Sequence, residues 1–311
     1  MTELHLHLDG SLRAKTCLEL YREQRIPAPC EDEGTMKRLL TASEDCKNLE
    51  EVLRCFNIPL KVLQKDWALE RVAYELVEDL SKSHDDYCEI RFAPNLSLAE
   101  GMTQKEVTEA VLRGVEHGMK DFPIRIGLIL CVMRGKSEEE NMETVEVCER
   151  MRGDVVCGLD LAGAENLFPA KLYRPVFERA NRYHIPFTMH AGESLDLNNV
   201  YDAIDMGARR LGHGITVVKD EKLLQLVKEK NIHVECCLTS NIQTKEVASF
   251  DVHPIRKLFD EGISVSINTD NLSVSDSDHE KELAIARKYL HFTDAEMEEI
   301  ERRAKTARFL H

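Results

Sequence analysis

The chain of 311 residues is 43% hydrophobic and 31% charged, with a net charge of −15. That is enough apolar material to bury one large α/β domain or two ordinary ones. The acidity argues against a broad electrostatic footprint for nucleic acid or an anionic membrane, and no Lys/Arg run is long enough to suggest a local one.

The first predicted element, a strand over residues 2–8, lies in the stretch ELHLHLDGSL. In a strand, His5 and His7 project from one face while Leu4, Leu6 and Leu8 occupy the other. Two imidazoles side by side suit either a shared metal or a polar patch, and the pair alone does not choose. Residues 11–86 are too long for one strand-to-helix connection and read as several helices, including roughly 48–57 and 60–83. Within them Leu49, Val52, Leu53 and Phe56 fall at i, i+3, i+4 and i+7. Such a stripe either packs into the core or lines a ligand pocket.

Further strands are predicted at 87–94, 124–132, 155–161, 185–191, 209–214, 232–237 and 263–269, with charge-rich helical segments between them. Eight strands in alternation with helices predict a parallel sheet closed into a (β/α)8 TIM barrel; an open doubly wound sheet is the alternative. No Gly/Ser- or Pro-rich linker divides the chain, so residues 1–311 read as a single domain. An insertion after strand 1 of a barrel sits above the C-terminal face, which makes 11–86 a candidate lid.

The ten cysteines form no C-x-x-C pair and no short-spaced framework. Buried, reduced thiols are the expectation. The N-terminus lacks the basic and apolar regions of a secretory signal, and no run of 18 apolar residues occurs. The expected setting is therefore the cytoplasm.

Polar residues gather at the predicted strand ends. Strand 1 ends in His5, His7 and Asp9, strand 4 in DLAGAE, and strand 5 in MHAGES with His190 and Glu193. Strand 6 ends in GHG with His213, and strand 8 in NTDN with Asp270. A lone histidine near a strand end is more often a satisfied core residue. Several at ends that converge on one barrel mouth point instead to a site. Three His and one Asp suit a borderline divalent ion such as Zn²⁺.

The stretches ELHLHLDGSL, GLDLAGAE, MHAGES, RLGHG and NTDN resemble, in order and spacing, the adenosine deaminase family of metal-dependent amidohydrolases. The resemblance spans residues 2–271. It implies one Zn²⁺ per chain held by His5, His7, His190 and Asp270, and attack of a zinc-bound hydroxide at purine C6 of adenosine or 2′-deoxyadenosine, in purine salvage. Glu193 matches the acid that serves purine N1, and His213 the histidine that supports the attacking hydroxide. Gly163 matches the glycine whose N–H meets N3, and Asp9 the residue that holds the ribose 5′-hydroxyl. Leu49, Val52, Leu53 and Phe56 match the apolar lid over a small-molecule nucleoside. The family pattern commonly has a second Asp where this chain has Asn271. Purine N7 is an acceptor, and an Asn amide donates to it without first taking up a proton.

Rival readings carry specific signatures. A binuclear amidohydrolase would want a bridging Lys on strand 4, where VVCGLDLAG has none. A TatD-like nuclease is disfavoured by HAGE and the acidic balance. A 5′-phosphorylated substrate would be repelled by Asp9. Adenine or aminodeoxyfutalosine remain alternatives to adenosine. A non-catalytic barrel protein would be expected to have lost a ligand or the acid.

Overall fold

The computed structural model describes residues 1–83, 85–194 and 196–310. Its strands are β1 (Thr2–His7), β2 (Tyr87–Phe92), β3 (Arg125–Met133), β4 (Val156–Ala162), β5 (Thr188–Ala191), β6 (Arg210–His213), β7 (His233–Cys236) and β8 (Ser264–Ile267). Two parallel four-stranded ladders, β1–β4 and β5–β8, follow the sequence order. Single parallel bridges join Leu159 to Phe187 and Leu6 to Asp270, so β4 meets β5 and β8 meets β1. At the second seam His7 N–H donates to Asp270 O (2.8 Å) and Asp270 N–H donates to His5 O (2.9 Å).

Side chains confirm that the ladders face each other. Arg91 on β2 donates to Asp160 on β4 and to Glu235 on β7, each at 2.9 Å. Residues on β2 and β7 are remote along the sheet and meet only when the strands curl round a shared interior. The doubly wound alternative does not fit this sequential order, and the fold is α/β with parallel strands in barrel order.

Helices alternate with the later strands, as the charge-rich segments predict: α6 (Gln104–Asp121), α7 (Glu138–Met151), α8 (Arg174–Arg182), α9 (Leu197–Met206), α10 (Glu221–Glu229), α11 (Leu238–Gln243), α12 (Ile255–Asp260), α13 (His279–Leu290) and α14 (Asp294–Ala307). Thr103 with Glu106 and Ser137 with Glu140 form capping boxes that start α6 and α7 by satisfying free N–H groups reciprocally. The strands are buried runs of Ile, Leu, Val and Cys whose outward faces pack on these helices.

The segment between β1 and β2 holds five α-helices: α1 (Ala14–Glu23), α2 (Glu33–Leu40), α3 (Leu49–Leu53), α4 (Asn57–Val62) and α5 (Asp66–Lys82). His84, part of the predicted insertion, lies outside the described residues. The expected break near residue 58 is misplaced. A 3₁₀ turn, Arg54–Phe56, carries α3 into α4, and the chain breaks at 63–65 instead. Pro59 is accommodated inside α4 because its missing N–H falls among the first-turn donors that have no helical partner.

β5–β8 are also shorter than expected. The β5 ladder stops just before Gly192 (φ 82°) and the β6 ladder at His213 (φ 65°), both in the left-handed region, while β8 ends at Ile267, three residues before the left-handed Asp270 (φ 65°). All ten cysteines are free, and all but Cys30 and Cys55 are buried. No helix is long and apolar enough to cross a membrane among the described residues.

Candidate active site

The β1–β8 seam brings the first and last motifs together. Asp270 Oδ1 lies 3.5 Å from both His5 Nε2 and His7 Nε2. His7 Nε2 is 3.2 Å from His190 Nε2 on β5. These separations are close to the roughly 3.3 Å between ligand atoms at about 2.0–2.1 Å from a tetrahedral ion. His5 Nε2 is buried with no hydrogen-bond partner. A buried lone pair beside two more imidazoles and a carboxylate is costly unless a cation faces it, so the donor set fits a divalent ion. One donor atom from each of His5, His190, His213 and Asp270 also falls within 4.8 Å of the others.

Two of the ligand-type histidines, His5 and His190, are oriented from behind. His5 Nδ1 is 2.8 Å from Glu235 Oε2, and His190 Nδ1 is 2.9 Å from Asp160 Oδ2. Such carboxylates fix the ring tautomer and leave Nε2 free for a metal. Arg91 holds both carboxylates at once. Arg210 continues the chain to Glu89 (2.5 Å) and Glu235 (2.6 Å). These residues escape a reading based on strand-end motifs. The available signal is a charge inside an otherwise apolar strand, as in YCEIRF, VCGLDLA and HVEC.

Glu193 is buried beside this cluster, with Oε1 3.7 Å from His213 Nε2. Burial pushes its pKa well above the ordinary carboxyl value, and the carboxylates of Asp270 and Glu165 add to the shift. Burial likewise holds His7 and His213 well below the usual imidazole value. Glu165 ends the DLAGAE stretch and had no predicted role. It accepts the backbone N–H groups of Gly192 (2.8 Å), Glu193 (3.0 Å) and Ser194 (2.8 Å), which locks the loop bearing the acid.

A cavity of about 260 Å³ opens above these groups. His7, Asp9, Gly163, His190, Glu193, His213, Asp270 and Asn271 line it, while His5 sits beneath. Leu49, Val52, Leu53 and Phe56 line its opposite side. Val52 and Phe56 also pack with Ala42, Cys46 and Val274, so the stripe is both wall and local core. Arg134 and Cys131 are further lining residues that the motifs did not flag.

Asp9 Oδ1 is buried without a partner, and burial raises the Asp9 pKa to about 6. Asn271 Oδ1 is likewise unpartnered. It lies so close to Gly10 that a Cβ there would come within 1.7 Å of it. Gly163 holds φ 102°, which an L side chain rarely adopts.

Parallel strands whose C-terminal ends converge histidines, an aspartate and a buried glutamic acid on a roofed cavity define a metal-dependent hydrolase of the barrel class. A family model described as adenosine deaminase matches residues 1–311, and the chain belongs to the adenosine deaminase family. An adenosine deaminase of Clostridium perfringens is 43% identical over 274 residues, covering 88% of this chain and 82% of that protein. Among solved structures, an adenine deaminase from Arthrobacter aurescens superposes with a TM-score of 0.92 at 21% identity, covering 100% of this chain and 94% of the other. An Arabidopsis N6-mAMP deaminase gives 0.89 at 28% identity, with 100% and 93% covered.

Proposed function

We propose that this protein deaminates adenosine, and 2′-deoxyadenosine, to inosine and ammonia in cytoplasmic purine salvage. The observation that carries the reading is a buried glutamic acid with a raised pKa, 3.7 Å from a histidine and beside a His/Asp donor cluster, in one cavity. We assign Zn²⁺ to His5, His7, His190 and Asp270, since imidazoles with one carboxylate suit a borderline ion. When bound, the ion lowers the pKa of water to about 7 and so supplies a nucleophile for C6 at neutral pH.

The chain's own residues do the rest. Glu193, whose protonated form is favoured by burial and by the neighbouring Asp270 and Glu165, places a proton at purine N1, which draws electrons from C6 as it becomes tetrahedral. His213 presents Nε2 to the same space and supports the attacking oxygen. The Gly163 N–H serves N3, and the Asn271 amide donates to N7. Asp9 accepts the ribose 5′-hydroxyl; its unpartnered oxygen supports that role, and its charge disfavours a 5′-phosphate. Residues 1–311 act as one domain in this reading, with 11–86 as the lid that holds Leu49, Val52, Leu53 and Phe56 over the base and excludes water.

The test is a panel of 6-aminopurines followed by loss of absorbance near the adenine maximum. Adenosine and 2′-deoxyadenosine should turn over well ahead of adenine, aminodeoxyfutalosine, AMP and N6-methyl-AMP. Preference for any of the last four overturns the assignment. Elemental analysis should find one zinc per chain; two ions would reject the mononuclear site.

A further inference from the structure

A chain of hydrogen bonds leaves His213 on the side away from the cavity. His213 Nδ1 is 3.1 Å from Asn241 Nδ2 on α11. Asn241 Oδ1 is 3.1 Å from His253 Nε2. His253 Nδ1 in turn lies 3.2 Å from the backbone nitrogen of Ile255, which heads α12. Asn241, His253 and His213 are each no more than 2% exposed, so water does not compete for these bonds.

The direction of every bond follows from its far end. A backbone N–H can only donate, so His253 Nδ1 must accept. A neutral imidazole has one hydrogen, which then sits on Nε2 and is donated to Asn241 Oδ1. Burial keeps His253 neutral, with a pKa lowered to about 3. With its oxygen engaged, the Asn241 amide turns its NH₂ toward His213, and His213 Nδ1 must accept. The hydrogen of His213 is thereby left on Nε2, the nitrogen that faces Glu193.

We propose that Asn241 and His253 are positioning residues that hold His213 in the Nε2–H tautomer, making it a hydrogen-bond donor toward the reacting oxygen and not a base. The inference rests on the deaminase reading for its catalytic meaning, though the tautomer itself does not depend on it. A base at this position would need a free lone pair on Nε2, and this relay removes it. The relay also explains why His213, although within the donor cluster, is absent from the assigned ligands: its cavity-facing nitrogen carries a hydrogen.

The experiment combines long-range ¹H–¹⁵N correlation spectra of the histidine rings in the zinc-loaded enzyme with steady-state kinetics. Wild type should show His213 protonated on Nε2 alone; a signal for Nδ1–H, or for both nitrogens, overturns the proposal. In His253→Leu the Asn241 oxygen loses its donor, the amide is free to turn over, and the His213 pattern should move to Nδ1–H. Its kcat should fall by about 10- to 100-fold, the usual effect of removing a partner that orients an active-site histidine. KM and zinc content should hold. His253→Gln again offers an N–H to Asn241 and should restore most of kcat together with the Nε2–H pattern. Asn241→Asp, whose carboxylate can only accept from Nδ1, gives a second route to the switched ring if His253→Leu does not fold. An unchanged His213 pattern in the folded variant rejects the relay. A wild type that shows Nε2–H but deaminates none of the purines rejects the functional reading and leaves the relay standing.

Discussion

Glu193 and Asp9 are both carboxyl groups raised by burial, yet their surroundings suit them to opposite tasks. Glu193 faces Asp270 and Glu165, whose charges favour its protonated form. Glu193→Gln keeps the shape and one donor but has no proton to release. It should keep its metal and bind purine nucleoside while kcat falls by about 10²–10⁴-fold, the range of general acid–base catalysis. A metal-replete variant near wild-type kcat would remove Glu193 from the mechanism. Asp9, with a pKa of about 6, is mostly ionised at pH 7. Asp9→Asn should weaken adenosine binding by about tenfold, a hydrogen bond's worth. The same change should narrow the gap between adenosine and AMP in kcat/KM. Wild-type enzyme that accepts AMP as readily as adenosine would refute this role.

At the scale of elements, strands hold the chemistry and helices hold the cover. The candidate ligands sit on or directly after strands, where backbone position is set by ladders on both sides. His213 and Asp270 nevertheless adopt φ near 65°, a conformation that costs a non-glycine residue about 1–3 kcal/mol. The seam bonds between Asp270 and β1 help to hold that geometry. The cover formed by α3, the 3₁₀ turn and α4 is tied down at its near end, where Ala42 N–H donates to Val274 O. Phe56 lines the cavity from this cover and is only partly buried. Phe56→Ala removes apolar contact of order 1 kcal/mol. The expected result is a KM several-fold higher with kcat little changed, because contact made equally in ground and transition states affects binding alone. A drop confined to kcat would show instead that the cover orders the reacting groups.

Across the whole molecule, a buried ion network crosses the space that the strands enclose. Arg91, Arg210, Glu89, Asp160 and Glu235 are all 1% exposed or less and form one connected set. Removing Arg210 would leave the buried Glu89 carboxylate without its cation, and removing Arg91 would do the same to Asp160, each costing about 3–5 kcal/mol; loss of a single carboxylate leaves both arginines paired. A separate pair clips α13 to the entry of β2, with His279 Nδ1 2.7 Å from Asp85 Oδ1. Burial opposes protonation of His279, but the Asp85 hydrogen bond and charge outweigh it and raise the pKa from 6.5 to about 9. The folded state therefore keeps a proton that the unfolded chain gives up near pH 6.5. Stability from this pair is complete below pH 6.5 and is lost as pH rises through about 9. The melting temperature of wild type should fall across that window more steeply than that of His279→Gln. Parallel curves for the two would assign the pH dependence elsewhere.

Strand number, alternation with helices and the residue types at each strand end were all legible in the sequence. The reason is local: period-2 and period-3.6 patterns are set by neighbours along the chain, and a strand end in a barrel faces the mouth wherever the strand sits. His5, His7, His190, Glu193, His213 and Asp270 could thus be named from short motifs. The tertiary structure alone decided which partner lies behind His5, His190 and His213. Glu235 meets His5 across 230 residues and Arg91 meets Asp160 across 69, through contacts set by how the strands curl round a shared interior. The same holds for the bond from Ile255 through His253 and Asn241 to His213. Its direction depends on which atom faces which in a dry interior, and no spacing along the chain encodes that.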